Sequence, residues 1–261
     1  MRRWILCLLI VVLTVAACEP LTSSNSGQPA TVDPRIFSWD RSPNAVIFSA
    51  ETVGGQSDFR ALSDIPLCAL YGDNRLVWLN ELGGFDFEVL YDGVGDSAIR
   101  EFISYLTVTE AIYTHAWNFD NLFATAEVAP VVETVRLIVN GVEHRADSLS
   151  GWDAQWFTRV VTMCQRLASA PILFQPAGAW ITAQPTPYSV QAPISVWDST
   201  RMGFRLTDAA QARWVTGVPL LDLWNALRSL PGSLLYTEDQ VTYYQIAVQV
   251  PGISVTSPPA P

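Results

Sequence analysis

The stretch TVRLIVNGVEHRA, Thr134 to Ala146, reads as two strands joined by a two-residue turn. Thr134–Val139 and Val142–Ala146 are apolar runs with alternating polar positions, and Asn140-Gly141 between them supplies the two positive-φ residues that a tight hairpin turn needs. A helix is expected to follow, with Ser150 as its cap and Phe157, Val160, Val161, Cys164 and Ala168 as its buried stripe. The same order occurs upstream. Leu67–Tyr71 and Leu76–Leu79 flank the turn Gly72-Asp73-Asn74-Arg75. Phe85–Tyr91 alternates Phe85, Phe87 and Val89 against Asp86 and Glu88. A helix capped by Asp96 then carries Ile99, Phe102, Ile103 and Leu106 on one face. Hairpins followed by helices predict an α+β fold, an antiparallel sheet built from hairpins with helices packed on one face.

Working outward, Asn44–Thr52 reads as a strand stopped by Gly54-Gly55, and Ala111–Trp117 as another. The expected folded domain runs over residues 34–170. Residues 171–193 hold five prolines and read as a connector over the surface. Residues 194–250 read as a C-terminal helix-hairpin subdomain packed on the first part. In it Thr207 caps a helix to Trp214, Leu220–Leu230 forms a second helix, and Leu234–Tyr236 pairs with Val241–Val250. The Pro-rich tail, 251–261, reads as disordered.

The N-terminus carries a different message. Arg2 and Arg3 precede an apolar run from Trp4, which ends in Val15-Ala16-Ala17-Cys18. A run this short does not cross a bilayer, which takes about 20 apolar residues. The layout is that of an export signal over residues 1–17. The cysteine after the small pair makes it resemble a bacterial lipoprotein signal. That resemblance implies lipid on Cys18 as the new N-terminus, an extracytoplasmic location, and a membrane anchor of two or three chains. Glu19 is not the Asp that retains such proteins in the inner membrane. The expected location is therefore the outer membrane of a two-membrane bacterium, or the outer face of the cell membrane in a one-membrane one. Residues 18–33, rich in Ser, Thr, Pro and Gly, form a flexible tether.

Composition narrows the chemistry. The chain has a net charge of −10, which becomes −12 once Arg2 and Arg3 leave with the signal. Such a surface repels phosphate backbones, so nucleic-acid binding is disfavoured. All 15 basic residues are Arg. Without lysine there is no Walker A loop, no Schiff-base amine and no Ser-Lys hydrolase. Cys68, in an apolar strand, and Cys164, on an apolar helix face, are both able to reach one core. The sequence admits either a disulfide or two buried thiols.

The segments Glu51-Thr52-Val53-Gly54-Gly55 and Leu70-Tyr71-Gly72-Asp73-Asn74-Arg75 resemble those of uncharacterised secreted lipoproteins of high-GC bacteria, which carry T-V-G-G and then L-Y-G-D-G-R. Asn74 stands where those chains have Gly and still accepts positive φ. The likeness covers roughly residues 45–165, with a fainter echo at 194–250. It implies the same address and fold class and carries over no catalytic residue.

Other candidates are weak. His115 shares an expected strand face with Tyr113 and Trp117, which suggests core packing or an aromatic platform for a sugar or peptide. His144 reads as a solvated hairpin residue. Gly95-Asp96-Ser97 has the look of an esterase nucleophile, but no histidine follows His144 to serve as its base. Asp86 and Glu88 form a same-face carboxylate pair of the kind used in glycoside hydrolysis. Asp73-Asn74 lacks the further ligands of a calcium loop. The nine tryptophans beyond the leader read mainly as bulky core, with carbohydrate stacking or interface anchoring as the alternative. No catalytic residue, metal set or cofactor is assigned. The expected function is a lipid-anchored protein-interaction or binding module at the cell envelope, with an envelope protein or glycan as partner. A small-ligand or glycan-binding lipoprotein is the alternative, and a carboxylate-based hydrolase ranks third.

Overall fold

The protein is described from a computed structural model over residues 36–55, 58–83, 86–120, 130–229 and 234–261. The leader 1–17, Cys18 and the tether to Asp33 lie outside the described residues, as do Phe85 and Leu230.

The hairpins build a seven-stranded antiparallel sheet. Its order is β6 (Val142–Asp147), β5 (Val132–Val139), β1 (Val46–Val53), β2 (Cys68–Tyr71), β3 (Arg75–Gly83), β4 (Asp86–Gly93) and β7 (Ile172–Leu173). The turns expected to bend the chain do so. Asn140 and Gly141 take φ of 56° and 72°, pairing Val139 with Val142, and Asn74 takes 69° between β2 and β3. Gly72 is required by a close approach: a Cβ there would lie 2.1 Å from the Asp40 carbonyl oxygen.

Helices α2 (Asp96–Ser104) and α3 (Trp156–Gln165) lie on one face of this sheet. Their stripes, including Ile99, Phe102, Val160 and Cys164, share a core with Phe48, Ala50, Cys68 and Leu70. Phe48 meets Phe102 edge to face at 5.0 Å. A disulfide joins Cys68 of β2 to Cys164 of α3, with Cα atoms 6.3 Å apart. The α+β class and the helix-covered face match the hairpin-and-helix pattern.

The opposite face meets a second sheet of five strands, which the hairpin pattern did not predict. Its order is β10 (Arg213–Thr216), β8 (Gly178–Thr186), β12 (Tyr243–Gln249), β11 (Leu235–Thr237) and β9 (Ile194–Val196), antiparallel except for β11 beside β9. Ala69, Tyr71, Val77 and Val89 of the first sheet share a core with Ile181, Ile246 and Val248 of the second. Leu220, Leu223 and Trp224 of α5 (Val218–Ser229) join them. Covered on both sides, β2 is buried at every position. Two single-turn helices, α1 (Asp58–Ala61) and α4 (Ser199–Met202), also occur among the described residues. Residues 33–261 cluster as one unit. Among the described residues no helix is long and apolar enough to cross a membrane.

Several local expectations are corrected. Within 171–193, read as a surface connector, β8 is a paired strand flanked by β10 and β12. Its alternation buries Ala179, Ile181 and Ala183. Pro185 is tolerated because β10 pairs only with 178–181, leaving β8 one neighbour at that point. The tail is placed rather than disordered: Val255 N donates to Asp64 O at 2.9 Å, and Ile253 and Ser254 are buried. Ala111–Trp117 is not a strand. Ala111 has φ 47°, and Ile112–Thr114 is a 3-10 turn. The reason lies just before it. Arg159 clamps the Glu110 carboxylate with two bonds of 3.2 and 3.0 Å, and Trp156 Nε1 donates to Glu110 O, so side chains hold this segment instead of a ladder. The cap of α2 is Gly95 and not Asp96. Ser150 ends a 3-10 turn ahead of α3, and Thr207 lies inside another, Leu206–Ala209, which leads to a strand.

Candidate functional site

The second sheet covers the β2–β4 part of the first sheet, and the neighbouring β1–β5–β6 corner carries polar side chains. Phe48 and Ala50 of β1 point to the helices, so Ser49 and Glu51 point the other way. Across the ladder Ser49 faces Arg136, and Arg136 faces Arg145. In the next row Glu51 faces Thr134. Residues 251–259 run over this corner and close it into a cleft of about 560 Å³. Its floor is Ser49, Glu51, Thr134, Arg136 and Arg145. Trp117 and Tyr71 stand at its sides, and Pro251, Ser254, Ser257 and Pro259 form the far wall.

Like charges placed directly across a sheet are destabilising. Arg136 and Arg145 are such a pair, and Glu143 and Trp117 offset part of the repulsion. Glu143 accepts from Arg136 Nε and Nη2, both at 3.1 Å, and lies 3.9 Å from Arg145 Nε. The Arg145 guanidinium lies over the Trp117 ring at 3.8 Å, and Trp117 Nε1 is fixed by Asp120 at 2.8 Å. Arg145 is therefore held in position, half exposed and lining the cleft.

Glu51 has the opposite character. Burial pushes its carboxyl above the usual carboxylate range; a hydrogen bond from Ser49 and the charges of Arg136 and Arg145 pull down more weakly, and Asp64 adds to the rise. The cleft thus offers a cationic donor beside a carboxyl that takes up a proton readily. It suits a ligand carrying both an acceptor and a donor group, such as a peptide backbone or a glycan hydroxyl pair. A second cleft, also about 560 Å³, shares Glu51 and Val255 with the first. Ile65, Leu67, Leu79 and Phe87 line it together with Arg228. Burial draws the Arg228 pKa down to about 10, and its Nη2 donates to Ser63 O at 2.9 Å.

The residues singled out from the sequence do not converge on one place. Tyr113, His115 and Trp117 share no face. Tyr113 packs on His144, whose Nε2 lies 3.0 Å from Ile112 O, so His144 is engaged rather than simply solvated. His115 packs on Trp156 and Trp152. Only Trp117 reaches the cleft. Asp86 and Glu88 lie on β4 outside both clefts, with Asn80 donating to Glu88 at 3.3 Å. Asp96 is held by Arg41, at 2.8 and 2.6 Å, and by Asn74 at 2.7 Å. These bonds hold its carboxyl well below the usual range, which suits an anchor better than a nucleophile's neighbour. Among the described residues no group of His, Cys, Asp or Glu is placed to hold a metal. Comparison with known proteins finds no matching family model, no matching curated protein and no matching solved structure.

Glu51, Arg136 and Arg145 were not singled out as site residues from the sequence, because each reads as an ordinary solvated strand residue. One signal was present. A two-residue turn at 140–141 sets 136 opposite 145, so the paired arginines follow from the hairpin register.

Proposed function

We propose that this chain is a lipid-anchored extracytoplasmic binding module of the cell envelope, and that it binds through the cleft over Glu51, Arg136 and Arg145. The observation that carries this reading is the juxtaposed arginine pair sharing Glu143 beside a carboxyl of raised pKa, under a wall built by residues 251–259. A fold gains nothing from facing two arginines and half-burying a carboxylate, and such costs are commonly retained for a site. The leader ending in Cys18 supports the address. The partner class is an envelope protein or glycan. The small-ligand alternative is favoured by the cleft's size, which falls within the range of small-molecule pockets.

The test is a thermal-shift screen of residues 19–261 against peptides, glycans and common metabolites, run beside Arg145→Ala. A ligand at one hundred times its Kd stabilises by about 2.7 kcal/mol. A hit that Arg145→Ala loses supports the reading. A flat screen, or hits indifferent to Arg145, overturns the cleft as the binding surface.

A further inference from the structure

Trp180 of β8 sits between Ala179 and Ile181, which are buried against the first sheet, so its own ring stands on the outer face of the second sheet. Trp214, its cross-strand partner on β10, stands beside it, with the rings edge to face at 5.4 Å. Gly178 makes room for this: a Cβ there would come within 2.1 Å of the Trp214 ring. Trp214 therefore lies close against a bare backbone, and both indoles are fixed in position yet only half buried. Neither belongs to the core.

Ser257-Pro258-Pro259-Ala260-Pro261 reaches this pair at Trp180. Val255 N is bound to Asp64 O, and Thr256 O accepts from Gln249 Nε2 at 2.9 Å. Beyond Thr256, among the described residues, the hydrogen bond that ties the segment to the rest of the chain runs from Trp180 Nε1 to Pro259 O, 2.9 Å. An indole N–H donating to a carbonyl within a run of prolines, with aromatic rings alongside, is the chemistry by which proteins recognise proline-rich segments. Prolines lock such a segment into an extended form before it binds, so little conformational freedom is lost.

We infer that Trp180 and Trp214 form a docking site for extended proline-rich peptides, which residues 257–261 occupy in cis. This rests on the reading of the chain as a binding module and names the peptide class. The tethered segment competes at an effective concentration in the millimolar range. An incoming peptide displaces it, and since Ser257 and Pro259 also line the cleft, displacement opens the space above Arg136 and Arg145.

The experiment uses residues 19–261 and the same chain ending at Thr256, probed with a fluorescently labelled Ser-Pro-Pro-Ala-Pro peptide by polarisation. The shortened chain is expected to bind saturably, with Kd below about 0.1 mM. The intact chain should bind at least tenfold more weakly. Trp180→Phe, which keeps a ring and loses the N–H, should weaken binding by the shortened chain at least fivefold, and a Ser-Ala-Ala-Ala-Ala control should not bind. No saturable binding by a cooperatively melting shortened chain, equal binding of the control, or an unchanged Trp180→Phe variant overturns the inference. If shortening prevents folding, the intact chain decides. Millimolar peptide should displace the tail and move the amide resonance of Ala260 to its free-peptide position while the indole N–H of the core residue Trp78 stays in place; an unmoved Ala260 resonance overturns it. If Arg145-dependent stabilisation in the screen persists while the peptide fails, this inference falls alone. If both fail, the binding-module reading falls with it.

Discussion

Glu51 is a carboxyl whose surroundings favour its neutral form, and that has a sign in stability. Its folded pKa lies above its unfolded one. Between those values the folded chain holds more protons than the unfolded chain, so stability falls as pH rises through that window and stays reduced above it. Glu51→Gln removes the charge and keeps the shape. It is expected to raise the melting temperature at pH 7.5, with the gain vanishing near pH 4. Melts at both values check this, and an equal effect at the two pH values would sink it. Gly72 allows an equally local test. A methyl group there meets the Asp40 and Ser42 carbonyl oxygens at 2.1 and 2.6 Å, both backbone atoms that cannot swing aside. Gly72→Ala should lose about 1–3 kcal/mol of unfolding free energy, as overpacking commonly does. Denaturant titration showing less than about 0.5 kcal/mol, the scatter of neutral surface changes, would contradict it.

At the scale of elements, the disulfide ties β2, in the middle of the first sheet, to α3 above it, across 96 residues of sequence. Closing a loop of that length restricts the unfolded chain strongly, and removing such a bond typically costs about 2–5 kcal/mol. Reduction should lower the unfolding free energy by that amount, and denatured, unreduced protein lacking Cys7 and Cys18 should show no reactive thiol. Two thiols would refute the pairing. Which elements were legible follows from how local their causes are. The turns at Asn74 and Asn140-Gly141 carry their own reason, since few residues accept positive φ, and the stripes of α2 and α3 repeat within a few residues. Ala111–Trp117 was misread because its shape is set by Arg159 and Trp156, more than forty residues away. β8 was misread because prolines in the segment masked a clean alternation, and only the short reach of β10 explains why Pro185 is harmless. For the candidate site, the facing of Arg136 and Arg145 was available from the hairpin register. The wall that turns their strand face into a cleft was not, because a Pro-rich tail gives no periodic signal of where it docks.

At the scale of the whole molecule, address and binding are assigned to separate parts of the chain. The chain beyond residue 17 has a net charge of −12 and no lysine, which gives little electrostatic pull toward anionic lipid. In the proposed reading Cys18 holds the chain at the membrane through two or more acyl chains, since one gives only marginal attachment. Cys18→Ser is therefore expected to move the protein from the membrane fraction to the soluble one. Its melting temperature should be the same, because the substitution lies outside the compact unit that begins at Asp33. Arg145→Ala should behave in the opposite way, staying in the membrane fraction while losing ligand-dependent stabilisation. Fractionation of both variants, with melts on the purified proteins, separates the two parts. A Cys18→Ser protein that still pellets with membranes would end the anchor claim and leave the cleft argument standing, since no residue of the cleft enters the first.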